Sequence, residues 1–200
     1  MPLTFRPATP ADAPAIAPLV YRSGPAAFDH AFARNGHSAV DFLRWTLARE
    51  AGEFGYKAHW VGEQDGRIVA TGTAFSGEAN LRNSLAALGQ IIGFYGLGAA
   101  SVIRRGLQLE RIIQPPPAAT CYLAHLGVED GLTGQGIGRQ LIDHLLQQGR
   151  HAGLQRAALD VSATNPRAQA LYERLGFVVE HERPSTIPGV AAHRFMARGI

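Results

Sequence analysis

The chain has 200 residues, a formal net charge of +3 and 46% hydrophobic content, enough for one domain, residues 1–200, with a core of its own. Its arginines are scattered rather than gathered on one stripe, which argues against a nucleic-acid binder. The lone cysteine, Cys121, excludes an internal disulfide, the start MPLTFRP lacks the regions of a signal peptide, and no two of the eight histidines have helical metal-ligand spacing, so a cytoplasmic protein without a metal site is expected.

Residues 3–6 (LTFR) read as a short strand. In TPAD, Thr9 can cap, Pro10 suits the first helical position and Asp12 closes a capping box. Pro14 and Pro18 should leave this helix short, kinked or broken. Residues 22–37 read as a loop or short helix. Ser38 and Asp41 form a second capping box, and Val40, Phe42, Leu43, Trp45 and Leu47 give the broad apolar face of a helix that stops before Gly52. Residues 57–75 read as two strands meeting at Asp65-Gly66, a strong hairpin turn signal.

The segment 78–117 is too long for a structureless loop in a compact domain. No formal charge occurs between Arg82 and Arg104, which raises a membrane span. Gly89, Gly93, Gly96 and Gly98 dilute its hydrophobicity, and a span would separate strands of one sheet across a bilayer. One or two packed helices are therefore expected rather than a transmembrane span, with PPP at 115–117 as a stiff return.

Residues 120–178 read strand, glycine turn, helix, strand, helix, strand. In TCYLAHLGV, the run of Cys121, Leu123, Leu126 and Val128 suits a buried strand. Gly131, Gly134, Gly136 and Gly138 then crowd a strand-to-helix junction whose free amides can cradle a phosphate. Ile137, Leu141, Ile142, Leu145 and Leu146 recur on one helical face, with the positive dipole end at the glycines. A strand, RAALDVSA, leads to NPRAQALYERLGF, where Asn165 can cap, Pro166 opens the helix and Gly176 suits its end. Ala168, Leu171, Tyr172 and Leu175 share its inner face, so helix pattern alone reads Tyr172 as a core tyrosine whose hydroxyl finds a partner. Strands at VVEHER and AHRFMAR finish the chain.

Two motifs in this order, at 128–138 and 165–177, resemble those of the GNAT superfamily of acyl-CoA-dependent N-acetyltransferases, whose loop reads V-x-P-x-x-R-G-x-G-I-G and whose next helix reads N-x-x-A-x-x-L-Y-x-x-x-G-F. Here Asp130 replaces the proline, and Thr133 stands where Arg or Gln is common. The resemblance implies an α/β fold with a mixed six- or seven-stranded sheet flanked by helices, and places 78–117 as a helical insert between the third and fourth strands. It implies acetyl-CoA as co-substrate, bound by Leu126, Gly127 and Val128 on the strand and by Thr133, Gly134, Gln135, Gly136, Ile137, Gly138 and Arg139 in the loop. Asn165, Ala168 and Tyr172 complete the cofactor side. The implied reaction moves an acetyl group to a primary amine on a small molecule or peptide by direct attack, with the Leu126 N–H stabilising the oxyanion and Tyr172 as general acid.

Strict alternation puts Tyr122, Ala124 and Leu126 on the face that carries the family's general base, and turns His125 away unless a bulge re-aims it. His125 is therefore a candidate base only with such a bulge; Glu78, His37 or a water chain are others. Leu85, Leu88, Ile91, Ile92, Phe94, Tyr95 and Leu97 exceed what docking one short helix needs, so the insert should cover an apolar acceptor site or form a homodimer interface. The rival reading is a non-catalytic acyl-CoA-binding or sensing domain of the same fold.

Overall fold

The computed structural model describes residues 2–34 and 36–200. Its seven strands are β1 (Thr4–Pro7), β2 (His59–Gln64), β3 (Arg67–Ser76), β4 (Thr120–Val128), β5 (Arg156–Ser162), β6 (Val178–Arg183) and β7 (His193–Gly199), in the sheet order β1-β2-β3-β4-β5-β7-β6. All neighbours are antiparallel except β4 and β5. That one parallel pair needs a crossover, supplied by the long helix of residues 137–151.

Helices α1 (Ala13–Arg22), α2 (Pro25–Phe32) and α3 (Ala39–Leu47) pack on one face around Ile16, Phe32, Phe42, Leu43 and Leu47. Of the expected outcomes for α1, short, kinked or broken, a break does not occur and the helix is ten residues long. Pro14 falls in the first turn, where its missing donor costs nothing, and Pro18 sits inside a continuous ten-residue helix. A Cβ on Gly127 would collide with the Leu19 carbonyl, so this glycine lets α1 lie directly against β4. The capping box of α3 forms as its sequence suggests: Ser38 Oγ accepts from Asp41 N at 3.2 Å and Asp41 Oδ2 accepts from Ser38 N at 2.9 Å.

The segment 78–117 folds as α4 (Asn80–Tyr95) and α5 (Ala99–Leu109), parted at Gly96 with φ of 52°. Residues 82–109 contain a stretch long and apolar enough to cross a membrane by length and composition. About a fifth of that stretch, 22%, is buried inside the protein. Tyr95, Ala99 and Val102 are buried with α2 and α3, and Tyr95 donates its hydroxyl to the Phe32 carbonyl at 2.5 Å. Leu85, Leu88, Ile92 and Leu97 point outward.

On the opposite face α6 (Ile137–His151) buries Leu141, Ile142, Leu145 and Leu146 against β3 and β4. Gly72 permits this approach, because a Cβ there would come within 2.8 Å of Leu126 and 3.0 Å of Leu145. Helix α7 (Pro166–Arg174) closes the same face, capped by Asn165 Oδ1, which accepts from Ala168 N at 3.1 Å.

Candidate active site

The site begins where two strands part. β4 and β5 pair only at Thr120 with Arg156, Cys121 with Ala157 and Tyr122 with Ala158. From Leu123 and Leu159 onward they diverge, and the remaining halves of both strands line a wedge. At its wide end lies the glycine loop. Gly134 and Gly136 have φ of 92° and 82°, Gly136 caps α6 in the left-handed region, and the amides of residues 136–139 meet no protein acceptor among the described residues. A run of free N–H groups at the start of a 15-residue helix favours an anion.

The loop side chains mostly turn back on themselves. Thr133 Oγ1 donates to the Asp130 carbonyl at 2.8 Å, and Gln135 Nε2 reaches the Gly131 carbonyl at 3.5 Å. Arg139 is occupied by Asp143 at 3.6 Å. Sequence reasoning missed another cation: a terminal nitrogen of Arg167 lies 3.5 Å from where a Gly134 Cβ would stand. Arg167 thus sits over the loop where Thr133 supplies no charge. The residues present fit a diphosphate through backbone amides and Arg167. Ile137 is buried beneath, and Gly138 admits Leu171 and Val128, which ties α6 to α7 and β4.

Tyr172 projects from α7 into the wedge side of the core, 9% exposed and edge-on to Phe177 at 6.2 Å. Its hydroxyl has no hydrogen-bond partner among the described residues, contrary to the expectation for a packing tyrosine. Burial pushes its pKa up to about 12, so it stays protonated at neutral pH.

Strict alternation along β4 fails, with consequence for His125. The register passes from Thr73–Ala124 to Thr71–Gly127, so β4 carries one extra residue, and His125 has φ of 55°. This bulge corrects the expected placement: Leu126 turns toward Gly72 and α6, while His125 joins the face of Ala124 and Tyr122. There it stacks on Phe54 at 5.1 Å and on His59 at 5.3 Å. His59 Nδ1 lies 2.9 Å from the Gly55 carbonyl and must donate to it. A neutral His59 therefore accepts at Nε2 from His125 Nδ1, 3.2 Å away, leaving His125 Nε2 with the lone pair. Burial pushes His59 down to about 4 and His125 well below its usual value, so both rings are neutral.

The same face carries two carboxylates that sequence reasoning missed. Asp160 lies on β5 just past the last β4 pairing, where it accepts from Tyr122 Oη at 2.7 Å and from Arg183 at 3.2 Å. Burial raises its pKa to about 6 despite both partners. A single acid in the apolar run RAALDVSA is the available signal. Glu53, in the loop before β2, lines a cavity with Tyr122, and burial followed by the charge of Glu110 raises it to about 7. Nothing local in sequence marks Glu53. The alternative bases stand elsewhere: His37 packs on Phe94 at 4.8 Å, and Glu78 lies in a short turn before α4.

Comparison with known proteins agrees with this geometry. The profile described as the acetyltransferase (GNAT) family matches residues 25–177. Mycothiol acetyltransferase of Beutenbergia cavernae is 45% identical over 65 residues, covering 32% of this chain and 22% of that protein. The 5-NmdU N-acetyltransferase of Pseudomonas phage PaMx11 is 40% identical over 65 residues, covering 32% of this chain and 44% of that protein. The chain thus spans less than half the length of these relatives. A crystal structure of an acetyltransferase superposes with a TM-score of 0.69 at 24% identity, over 98% of this chain and 99% of that one, and shares the fold. With the profile matched over most of its length, the chain belongs to the GNAT acetyltransferase family.

Proposed function

We propose that the protein transfers an acetyl group from acetyl-CoA to a primary amine. The observation that carries this reading is the wedge between β4 and β5, with a free anion cradle at its wide end and a proton donor and a proton acceptor on its two faces. Acetyl-CoA supplies the activated acyl thioester. The loop amides and Arg167 bind its diphosphate, and the Leu126 N–H serves the reacting carbonyl. Tyr172, unpartnered among the described residues and protonated, holds the proton that the departing sulfur needs. On the other face Asp160, poised at about 6, takes the proton that the ammonium must lose before attack. His125 is too weak a base to hold that proton and instead accepts a hydrogen bond at Nε2 from water or amine.

The outward stripe of Leu85, Leu88 and Ile92 supports a homodimer through the insert, to be read as mass in solution. The test of the catalytic reading is thiol release from acetyl-CoA over a panel of primary amines. Stabilisation by CoA without thiol release on any amine would instead make this a binding domain.

A further inference from the structure

Between the insert and the sheet lies a cavity of about 120 Å³ lined by Glu53, Phe75, Asn83, Ser84, Glu110 and Tyr122, among others. The Glu53 carboxylate faces it with no hydrogen bond or ion pair among the described residues, and the Glu110 carboxylate has none either. A half-buried carboxylate without a protein donor, with the exposed Glu110 beside it, gives the cavity a negative wall that favours a cationic occupant. The loop that carries it is held from several sides. Gln90 of α4 donates to the Ala51 carbonyl at 2.7 Å, Tyr56 N donates to the Arg49 carbonyl at 2.8 Å, and Phe54 is anchored against His125. The backbone that carries the acid is therefore fixed at the cavity wall.

Tyr122 links this cavity to the chemistry. Its ring lines the cavity and its hydroxyl donates to Asp160, at the mouth of the wedge. A ligand in the cavity thus lies one tyrosine away from the group that takes the amine's proton.

We propose that this cavity binds a second cationic group on the acceptor, so that the preferred substrate is a primary amine carrying another ammonium or guanidinium group on a short chain. The proposal rests on the acetyl-transfer reading and names its substrate class. One cationic end neutralises Glu53 and Glu110, while the other reaches past Tyr122 toward Asp160. Asn83 and Ser84 supply polar wall, and Phe75 and Tyr122 flank the methylenes. A lone monoamine satisfies only one end.

The test uses 1,4-diaminobutane and n-butylamine with the whole chain, read in two ways. In steady-state acetylation the diamine should exceed the monoamine in kcat/KM by at least tenfold, and Glu53→Gln should bring that ratio close to one, chiefly by raising KM for the diamine. In thermal stabilisation without acetyl-CoA, the diamine should raise Tm more than the monoamine, and Glu53→Gln should abolish the difference. If no amine turns over while the diamine still stabilises the protein through Glu53, the catalytic reading fails and the cation site stands. Equal responses to both amines in the binding assay, or a preference that survives in Glu53→Gln and Glu110→Gln alike, would overturn the site.

Discussion

His59 Nε2 and His125 Nδ1 lie 3.2 Å apart as acceptor and donor of one hydrogen bond, each ring neutral and the chain of donors ending on the Gly55 carbonyl. Protonating His59 breaks the sequence of donors. His59 has its folded pKa near 4, well below the value of 6.5 expected when unfolded. The unfolded chain therefore binds the proton first, and stability present above pH 6.5 is lost as pH falls toward 4, by on the order of 3 kcal/mol for His59 alone. Thermal unfolding between pH 4.5 and 7 should show this slope, and His59→Phe should flatten it while lowering Tm at neutral pH.

At the loop, Gly136→Val puts a branched side chain at a φ of 82° and over the free amides. The backbone strain alone costs roughly 1–3 kcal/mol. Beyond that lower baseline, CoA should no longer raise Tm. Arg167→Gln should keep the fold and raise KM for acetyl-CoA about tenfold, as loss of one charge-assisted contact implies. A full CoA response in both variants would move the cofactor elsewhere.

For the proton transfers, Tyr172→Phe removes only a hydroxyl that no described protein group uses. We expect kcat to fall roughly 10- to 1,000-fold, with the Tm rise caused by CoA intact. Asp160→Asn should remove the limb near pH 6 from the kcat/KM profile, since that carboxyl is the one held at about 6. Profiles of identical shape would return Asp160 to a structural part.

Glu53 makes an opposite demand on pH. Its folded pKa of about 7 stands above the usual 4.5, so its contribution is full below pH 4.5 and is lost as pH rises through 7. The loss is on the order of 3 kcal/mol at most. Glu53→Gln should therefore raise Tm over the parent at pH 8 more than at pH 5. The gain should shrink when 1,4-diaminobutane is added to the parent.

In the insert, Phe94 and Tyr95 pack against α3. Phe94 packs edge-on to Phe42 at 5.5 Å and Trp45 at 5.4 Å, and Tyr95 is buried against Phe42. Phe94→Ala should cost about 3 kcal/mol of stability, the range for truncating a core aromatic. It should leave KM for the amine unchanged, as denaturant melts and kinetics on the same sample would show.

Elements with local chemistry are legible in the residues themselves. The capping box at Ser38, the cap at Asn165 and the Asp65-Gly66 turn stand where their residue types place them, and the glycine turn opens α6 in the order the sequence reads. What escapes is nonlocal. A period of two along TCYLAHLGV cannot reveal that β4 holds one residue more than β3, so it assigns His125 to the wrong face. The apolar residues of the insert are plain in its composition, yet composition does not say which of them meet α3 and which meet solvent. Glu53 lies far in sequence from Tyr122 and Glu110, and only folding makes an isolated acid into part of a cavity wall.

The parting of β4 and β5 leaves two inner strand edges, each with backbone donors and acceptors that the other strand does not cover. Sheet margins are usually guarded by charge, proline or shortness; these edges run through Leu123 and Leu126 on one side and Leu159 and Val161 on the other, with Asp160 between the last two. Without cofactor, the protein carries an aggregation-prone seam through its middle, open to any extended segment that fits. With acetyl-CoA bound in this gap, as proposed above, concentrated cofactor-free samples should scatter more light on warming than samples purified with CoA.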